Sequence, residues 1–217
     1  MRPVAESLEI HQAAIAPRLE RFAELYETVD SKHNLPLETW APLFALAVDL
    51  GPDLIIELGR GRGNSTCVFA EVAQEISTRV VSIGFDGGDG WTSWTRPRIE
   101  PIVDAAWFEP LTILDQDILA IEFAPIVREA SRVLLFWDAH GMAVADAVFE
   151  RLIPLLPAGS EVVVHDIADA VEHSDSWEFR VGPFGSMFDE LLPIWDLIER
   201  ERLPYSGDFC LRFGLPG

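Results

Sequence analysis

The sequence predicts a doubly wound α/β fold, in which helices cover both faces of a mostly parallel sheet. Three observations predict it: short apolar runs without polar alternation, helical stretches between those runs, and a glycine-rich turn after the first run. Apolar runs without alternation are expected of central parallel strands, because such strands are covered on both faces. The regular alternation of strand and helix then favours one parallel sheet over separate helical and strand regions.

Five strands and their crossover helices are expected in the central part of the chain. The strands cover residues 53–58, 79–85, 111–114, 133–137 and 161–164, and the helices cover 65–76, 122–131 and 143–156. After a helix over 185–194 the pattern changes, because 195–203 and 208–215 flank Pro204-Tyr205-Ser206-Gly207, a turn sequence. We therefore expect seven strands in all, with an antiparallel C-terminal hairpin at the sheet edge.

The N-terminal part of the chain reads as helical. Residues 4–30 have a helical pattern, with an apolar stripe of Ile15, Leu19, Phe22, Tyr26 and Val29 that has Pro17 at its start, where a proline is tolerated. A second helix over 37–50 ends at Gly51-Pro52. We expect residues 1–50 to be a helical segment packed on the core, and residues 51–217 to be the main domain. The apolar stripe also makes a homodimer conceivable through these helices.

Composition restricts the class of function. The chain has 16 Lys and Arg against 36 Asp and Glu, a net charge of −20, which would repel nucleic acid and anionic lipid. We therefore expect a small-molecule partner, with no nucleic acid and no membrane. The N-terminus lacks the apolar stretch of a secretory signal, and Cys67 and Cys210 form no metal or redox motif. These features predict a cytoplasmic protein with reduced thiols.

The turn after the first strand is the strongest motif. Residues 57–65 read Glu57-Leu58-Gly59-Arg60-Gly61-Arg62-Gly63-Asn64-Ser65, which matches GxGxG better than the dinucleotide fingerprint GxGxxG. Glycines allow a tight turn and let a ligand approach the backbone. The N-terminus of the following helix points N–H groups at the ligand, which suits a carboxylate or a phosphate.

With these motifs the sequence resembles the class I S-adenosylmethionine-dependent methyltransferases over residues 53–215. The residues that carry the resemblance are Glu57-Leu58-Gly59 with Gly61 and Gly63, Asp115-Gln116-Asp117, Phe136-Trp137-Asp138 and the antiparallel tail. Within the class, the spacing from Glu57 to Ser65 looks like the catechol-type and the cephalosporin-hydroxylase/sugar O-methyltransferase groups. The implied fold is the seven-stranded Rossmann-like sheet, and the implied cofactor is S-adenosylmethionine.

The resemblance also implies roles for individual residues. Glu57, Gly59, Gly61 and Gly63 would form the cofactor turn, Ser65 would contact the methionine carboxylate, and Asp117 would accept from the adenine amino group. The class places an acid at the end of the second strand to bind the ribose hydroxyls, and the aligned residue here is Gly84. Asp86, two residues later, is the expected substitute. The alternative is that Asp86 and Asp117 only cap turns.

Acids and histidines follow the fourth and fifth strands. Asp138 and His140 come after one strand, and His165 and Asp166 come after the next, so all four are expected in one pocket. Methyl transfer to oxygen needs a base that exposes a lone pair on the acceptor, for which His140 or His165 is suited. The resemblance alternatively implies a divalent metal on Asp138, His165 and Asp166, where imidazole would favour Mn, Fe or Zn over Mg. A third possibility is that these acids only cap helices and that the histidines only form hydrogen bonds with nearby residues.

The sequence therefore predicts an S-adenosylmethionine-dependent O-methyltransferase that acts on a small molecule, with or without a divalent metal. Tryptophans in the loop over 86–98 and in the segment 167–184 are candidates to stack on adenine or on the acceptor. Arg60 and Arg62 would bind an acidic group of a ligand, or pair with surface acids. The alternatives are a non-catalytic cofactor-binding protein of the same fold, favoured by Gly84, and a nucleotide-cofactor oxidoreductase, which Asn64 disfavours.

Overall fold

A single sheet of six strands organises the part of the chain that the computed structural model describes, residues 2–30, 35–165 and 211–215. The strands are β1 Leu54–Leu58, β2 Arg79–Gly84, β3 Leu111–Asp115, β4 Val133–Trp137, β5 Glu161–Val164 and β6 Leu211–Gly214. Their order across the sheet is β3-β2-β1-β4-β5-β6. The first five strands are parallel, and β6 runs antiparallel to β5. The predicted α/β class and the antiparallel C-terminal edge are thus confirmed.

The other arm of the predicted hairpin, 195–203, and the predicted helix 185–194 lie outside the described residues. The seventh strand therefore stays a prediction. The helices that the structure describes are α1 Val4–Ile10, α2 Gln12–Ile15, α3 Leu19–Val29, α4 Trp40–Leu50, α5 Asn64–Ile76, α6 Arg96–Ile99, α7 Phe123–Val127 and α8 Met142–Ala147. No helix among these described residues is long and apolar enough to cross a membrane.

The sheet separates two hydrophobic cores, as period-two side-chain alternation requires. Ile55 and Phe136 point into the first core, which is shared with α3, α4 and α5. Leu58 and Leu135 point into the second, which is shared with α7 and α8. Strands buried on both faces explain why the sequence shows continuous apolar runs.

The strand order reverses at β1, because β2 pairs with one edge of β1 and β4 pairs with the other. Ligands of open α/β sheets bind outside the carboxyl ends of the strands, at such a switch point. The carboxyl ends of β1 and β4 carry the glycine turn and Asp138. The topology thus brings the two predicted parts of the site to one place.

The N-terminal helical stripe is broken where the sequence predicted one continuous helix. Helices α1, α2 and α3 are separate, and the tighter turn Ala16–Arg18 contains Pro17 and joins the last two. Proline lacks a backbone N–H, so it interrupts the helical hydrogen-bond ladder there. The pieces still pack on the first core, through Phe22 and Leu25 of α3 in particular. The domain limits at 50 and 51 stay a prediction.

The packing of the N-terminal segment gives a stability prediction. Phe22 is 1% exposed and makes edge-to-face contacts with Trp40 and Phe44, at ring-centroid distances of 5.7 and 5.8 Å. Phe22→Ala should lower the free energy of unfolding by about 3–5 kcal/mol, because it removes a buried ring and leaves a cavity. The measurement is urea unfolding followed by circular dichroism. Leu19→Ala, at a residue 54% exposed in the same helix, is the control and should change it by less than about 1 kcal/mol. Equal losses in the two variants would contradict this packing.

Candidate active site

The glycine turn lies directly against the end of β4. Gly59 has a φ of 90°, and a Cβ built on it would lie 2.1 Å from the Asp138 carbonyl oxygen. No side chain fits at that distance, so the turn requires glycine here for close approach as well as for its left-handed conformation. The backbone of the turn and the residues after β4 therefore share one rim of the sheet.

The third glycine of the turn contacts a tryptophan. Gly63 has a φ of 100°, and a Cβ on it would lie 2.4 Å from the Trp91 ring. Trp91 is buried and stacks in parallel on Trp107, with ring centroids 6.5 Å apart. Trp107 donates its indole N–H to Glu71 at 2.7 Å, and Arg18 lies 3.4 Å from the same carboxylate. Trp91, a candidate for ligand stacking, thus packs the 86–98 segment onto the turn.

Glu57, at the end of β1, is fully buried beneath the turn. It accepts a short hydrogen bond from the Ser65 hydroxyl and one of 2.7 Å from the Thr66 hydroxyl. Burial raises the pKa of the Glu57 carboxyl, and hydrogen bonds from Ser65, Ser82 and Thr66 oppose that rise. The Ser65 hydroxyl, expected at the cofactor carboxylate, is engaged with Glu57. The role of Thr66 was missed, although its hydroxyl is adjacent to Ser65 in the sequence.

Asp86 and Asp117 both hold local turns. Asp86 accepts four hydrogen bonds from the loop that follows it: from the backbone of Gly88, Gly90 and Ser93, and from the Ser93 hydroxyl. The Ser93 hydroxyl is the largest of the hydrogen-bond contributions that lower the pKa of the Asp86 carboxyl. Asp117 accepts from the backbone N–H of Leu119 at 2.9 Å and caps a short helical turn. Their roles toward a cofactor stay predictions.

The two arginines of the turn have protein partners. Arg60 is buried across the ends of β2 and β3, where it pairs with Asp115 and donates to the Ser82 carbonyl at 2.9 Å. Arg62 donates to the Asp30 carbonyl at 2.8 Å and lies 4.7 Å from the centre of the Trp94 ring. Pairing of Arg60 with an acid was one of the two expectations, but its burial and its partner Asp115 were not predicted, because residues 55 apart in sequence give no local signal.

Asp138 and His165 meet across β4 and β5, as the strand order predicts. Trp137 is in register with Val164, so the next residues of both strands emerge side by side. His165 Nδ1 lies 2.8 Å from an Asp138 carboxylate oxygen, and His165 is 4% exposed. Because an ionised carboxylate only accepts, Nδ1 is the donor in this bond when Asp138 is ionised. His140 is exposed on the same rim, and Asp166 lies outside the described residues.

Solved structures of several O-methyltransferases share this fold. TomG from Streptomyces achromogenes, in complex with S-adenosylmethionine, is 16% identical, with a TM-score of 0.63 over 92% of this chain and 89% of TomG. The O-methyltransferase from Bacillus cereus, in complex with SAH, is 18% identical, with a TM-score of 0.61 over 96% and 90%. CalS11, a TDP-rhamnose 3′-O-methyltransferase of calicheamicin biosynthesis, is 17% identical, with a TM-score of 0.57 over 92% and 94%.

The chain has the fold of the class I S-adenosylmethionine-dependent methyltransferases. No protein-family model matches its sequence, and no curated protein matches it closely. The resemblance drawn from the glycine turn and the strand ends is therefore confirmed at the level of the methyltransferase fold.

The described part of this methyltransferase fold contains no group of three His, Cys, Asp or Glu residues that could hold a metal ion. Asp138 and His165, two of the three predicted ligands, are hydrogen-bonded to each other through Nδ1. A metal-ligating histidine commonly donates its other ring N–H to a carboxylate, so Nε2 is the ring nitrogen that would take an ion here. The third predicted ligand, Asp166, lies outside the described residues, and the three-residue metal site stays a prediction.

The contact between Gly63 and Trp91 gives a matched pair of glycine variants. Gly63→Ala should destabilise the protein by about 2–4 kcal/mol, because it adds left-handed strain and a clash with the Trp91 ring. Gly87→Ala is the control, since a Cβ at Gly87 meets nothing within 4 Å, and it should behave as wild type. Thermal unfolding measures both. A Gly63→Ala protein as stable as Gly87→Ala would show that the turn does not pack on Trp91.

Proposed function

We propose that this protein is an S-adenosylmethionine-dependent O-methyltransferase that acts on a small molecule. The observation that carries the proposal is the position of the glycine turn, whose backbone contacts the end of β4 beside the Asp138–His165 pair. A donor held at the turn and an acceptor held at the pair would be neighbours. The O-methyltransferases TomG and CalS11, which share the fold, support the reaction class.

The glycine turn and α5 suit the cofactor's methionine part. The first N–H groups of a helix have no partner within the helix, and they carry a partial positive charge that favours a carboxylate. Helix α5 begins at Asn64, directly after Gly63, and is 13 residues long. Because the Ser65 hydroxyl donates to Glu57, the backbone of the first turn of α5 is the better candidate for holding the methionine carboxylate of the cofactor. When bound, S-adenosylmethionine supplies an electrophilic methyl group on a sulfonium.

His165 is the better candidate for the base. The Asp138 carboxylate fixes the ring with the proton on Nδ1, which leaves Nε2 to take the proton from an acceptor hydroxyl. Asp138 also stabilises the imidazolium that this transfer creates. His140, exposed on the rim, is the second candidate. We derive no step through a metal, since the third predicted ligand, Asp166, lies outside the described residues.

The acceptor is proposed to be neutral or cationic. A net charge of −20 disfavours polyanions at long range, and the cations of the turn, Arg60 and Arg62, are already paired with protein groups. A hydroxyl on a sugar or on a planar natural product fits this description. CalS11 is a TDP-rhamnose 3′-O-methyltransferase, which supports a sugar hydroxyl as the reacting group; its substrate also carries a diphosphate, which the charge of this chain disfavours.

Calorimetry with the full chain tests the proposed cofactor. S-adenosylhomocysteine should bind with one site per chain, and NAD⁺ should give no heat, because the GxGxG turn departs from the dinucleotide fingerprint. Absence of heat with both S-adenosylmethionine and S-adenosylhomocysteine would remove the methyltransferase proposal. Binding of NAD⁺ alone would favour the oxidoreductase alternative.

The base and metal readings are separated by the state of the His165 ring. Two-bond ¹H–¹⁵N NMR should show the Nδ1–H tautomer, and Mg²⁺ or Zn²⁺ should leave the Nε2 signal unchanged, because the base reading keeps Nε2 for the acceptor hydroxyl. With an acceptor found by screening hydroxylated compounds for SAH release, His165→Asn in EDTA should lower kcat by about 10²–10⁴-fold. Metal-induced shifts of the ring, with turnover lost in EDTA, would favour the metal reading. A larger loss in His140→Asn would assign the base to His140.

A further inference from the structure

We propose that Asp115, at the end of β3, binds the ribose hydroxyls of the cofactor and sets the preference for a ribose. This inference rests on the proposed function. In Rossmann-like folds an acid about 20 residues after the glycine turn hydrogen-bonds the ribose. The sequence offered Asp86 for this role, but the contacts of the described residues favour Asp115.

An acidic side chain at the end of β2 would crowd Arg60. The residue there is Gly84, and a Cβ built on it would lie 3.1 Å from the Arg60 Cβ and 3.1 Å from the Arg60 backbone nitrogen. Both distances are tighter than ordinary contacts of a Cβ atom. A strand-two acid would thus require Arg60 to shift by a few tenths of an ångström.

The buried guanidinium of Arg60 requires an anion, and Asp115 supplies it. The Arg60 side chain is fully buried and donates to the backbone carbonyls of Ser82 and Gly84, at 2.9 and 3.4 Å. An unpaired buried charge is strongly unfavourable, so the ion pair with Asp115 fixes the position of that carboxylate. Arg60 is therefore a positioning residue for Asp115.

Asp115 lies one strand away from the missing acid, on the same face of the sheet. It is in register with Gly84 in the parallel pair of β2 and β3. Side chains at paired positions of parallel strands point to the same face, and neighbouring strands are about 4.8 Å apart. The carboxylate thus stays at the carboxyl rim, close to where an acid of β2 would stand.

The acceptor capacity of Asp115 exceeds that of Asp86. A carboxylate has about four acceptor positions, and Asp86 fills them with four donors of its own loop. The Asp115 carboxylate receives Arg60 on one oxygen and the Thr92 hydroxyl, at 2.8 Å, on the other. Its side chain is 36% exposed, so two positions and a solvent-accessible face are available for a vicinal diol.

The test compares the affinities of S-adenosylhomocysteine and its 2′-deoxy form in calorimetry. Wild type should prefer the ribose form by roughly 10- to 100-fold, as expected for a hydrogen bond to a charged acceptor. Asp115→Asn should reduce this preference to within about threefold. Thr92→Val is the matched control, because it removes the loop's bond to the same carboxylate but keeps the carboxylate, and the preference should persist. If Asp115→Asn does not fold, Asp115→Glu keeps the partner of Arg60 with a displaced carboxylate and should reduce the preference severalfold.

The outcomes separate this inference from the proposed function. A wild-type protein that binds both forms equally, or an Asp115→Asn protein that folds and keeps the full preference, would overturn the role of Asp115 and leave the cofactor proposal standing. Collapse of the preference in Asp86→Asn with persistence in Asp115→Asn would assign the ribose to Asp86. A wild-type protein that binds neither form would overturn both proposals.

Discussion

The close approach of the Gly59 backbone to the Asp138 carbonyl is the constraint on which the rest of the site depends. Hydrogen bonding between β1 and β4 sets these two strand ends side by side, and a glycine is needed because no Cβ fits between them. The contact fixes the distance between the turn and the acid–histidine pair. Neither part would then need to move for a donor and an acceptor to meet.

Buried polar groups under this rim are stabilised by partners drawn from distant parts of the sequence. Glu57 is held by hydroxyls of α5, and Arg60 by carbonyls of β2 and the carboxylate of Asp115. In a low-dielectric environment such groups are costly unless they are fully paired, and fully paired they adopt one arrangement. The polar layer thus makes the rim rigid before any ligand arrives.

The fold could be predicted because its signals are local. Apolar runs located β4 and β5 to the residue, and the glycine turn located the start of α5 within one residue. The pairing of Asp138 with His165 followed from strand order, which is also a property of the sequence pattern. What pattern reasoning missed depends on tertiary contacts. The helical turns over 91–99 fall largely within 86–98, which was predicted to be a loop because of the glycines at its start, and packing of Trp91 on Gly63 accompanies the helical turns there.

Side-chain partners in the site were the least predictable. The sequence shows that Ser65 carries a hydroxyl, but only the fold shows that Glu57 lies within its reach. Likewise Gly84 looked like the loss of an acid, whereas the structure shows it as space for Arg60. The absence of an acid at Gly84 goes together with the position of Arg60, and these two residues lie on different strands, so no rule of sequence spacing connects them.

The stacked indoles connect the turn to the N-terminal helices. Gly63 contacts Trp91, Trp91 stacks on Trp107, Trp107 donates to Glu71, and Arg18 of the N-terminal segment lies against the same carboxylate. The helices that precede the sheet therefore support the turn in two ways: directly, through the Asp30 carbonyl that accepts from Arg62, and through the stacked indoles. Substitutions in this series of contacts, from Arg18 to Trp91, would change the rigidity of the glycine turn without touching a bound molecule.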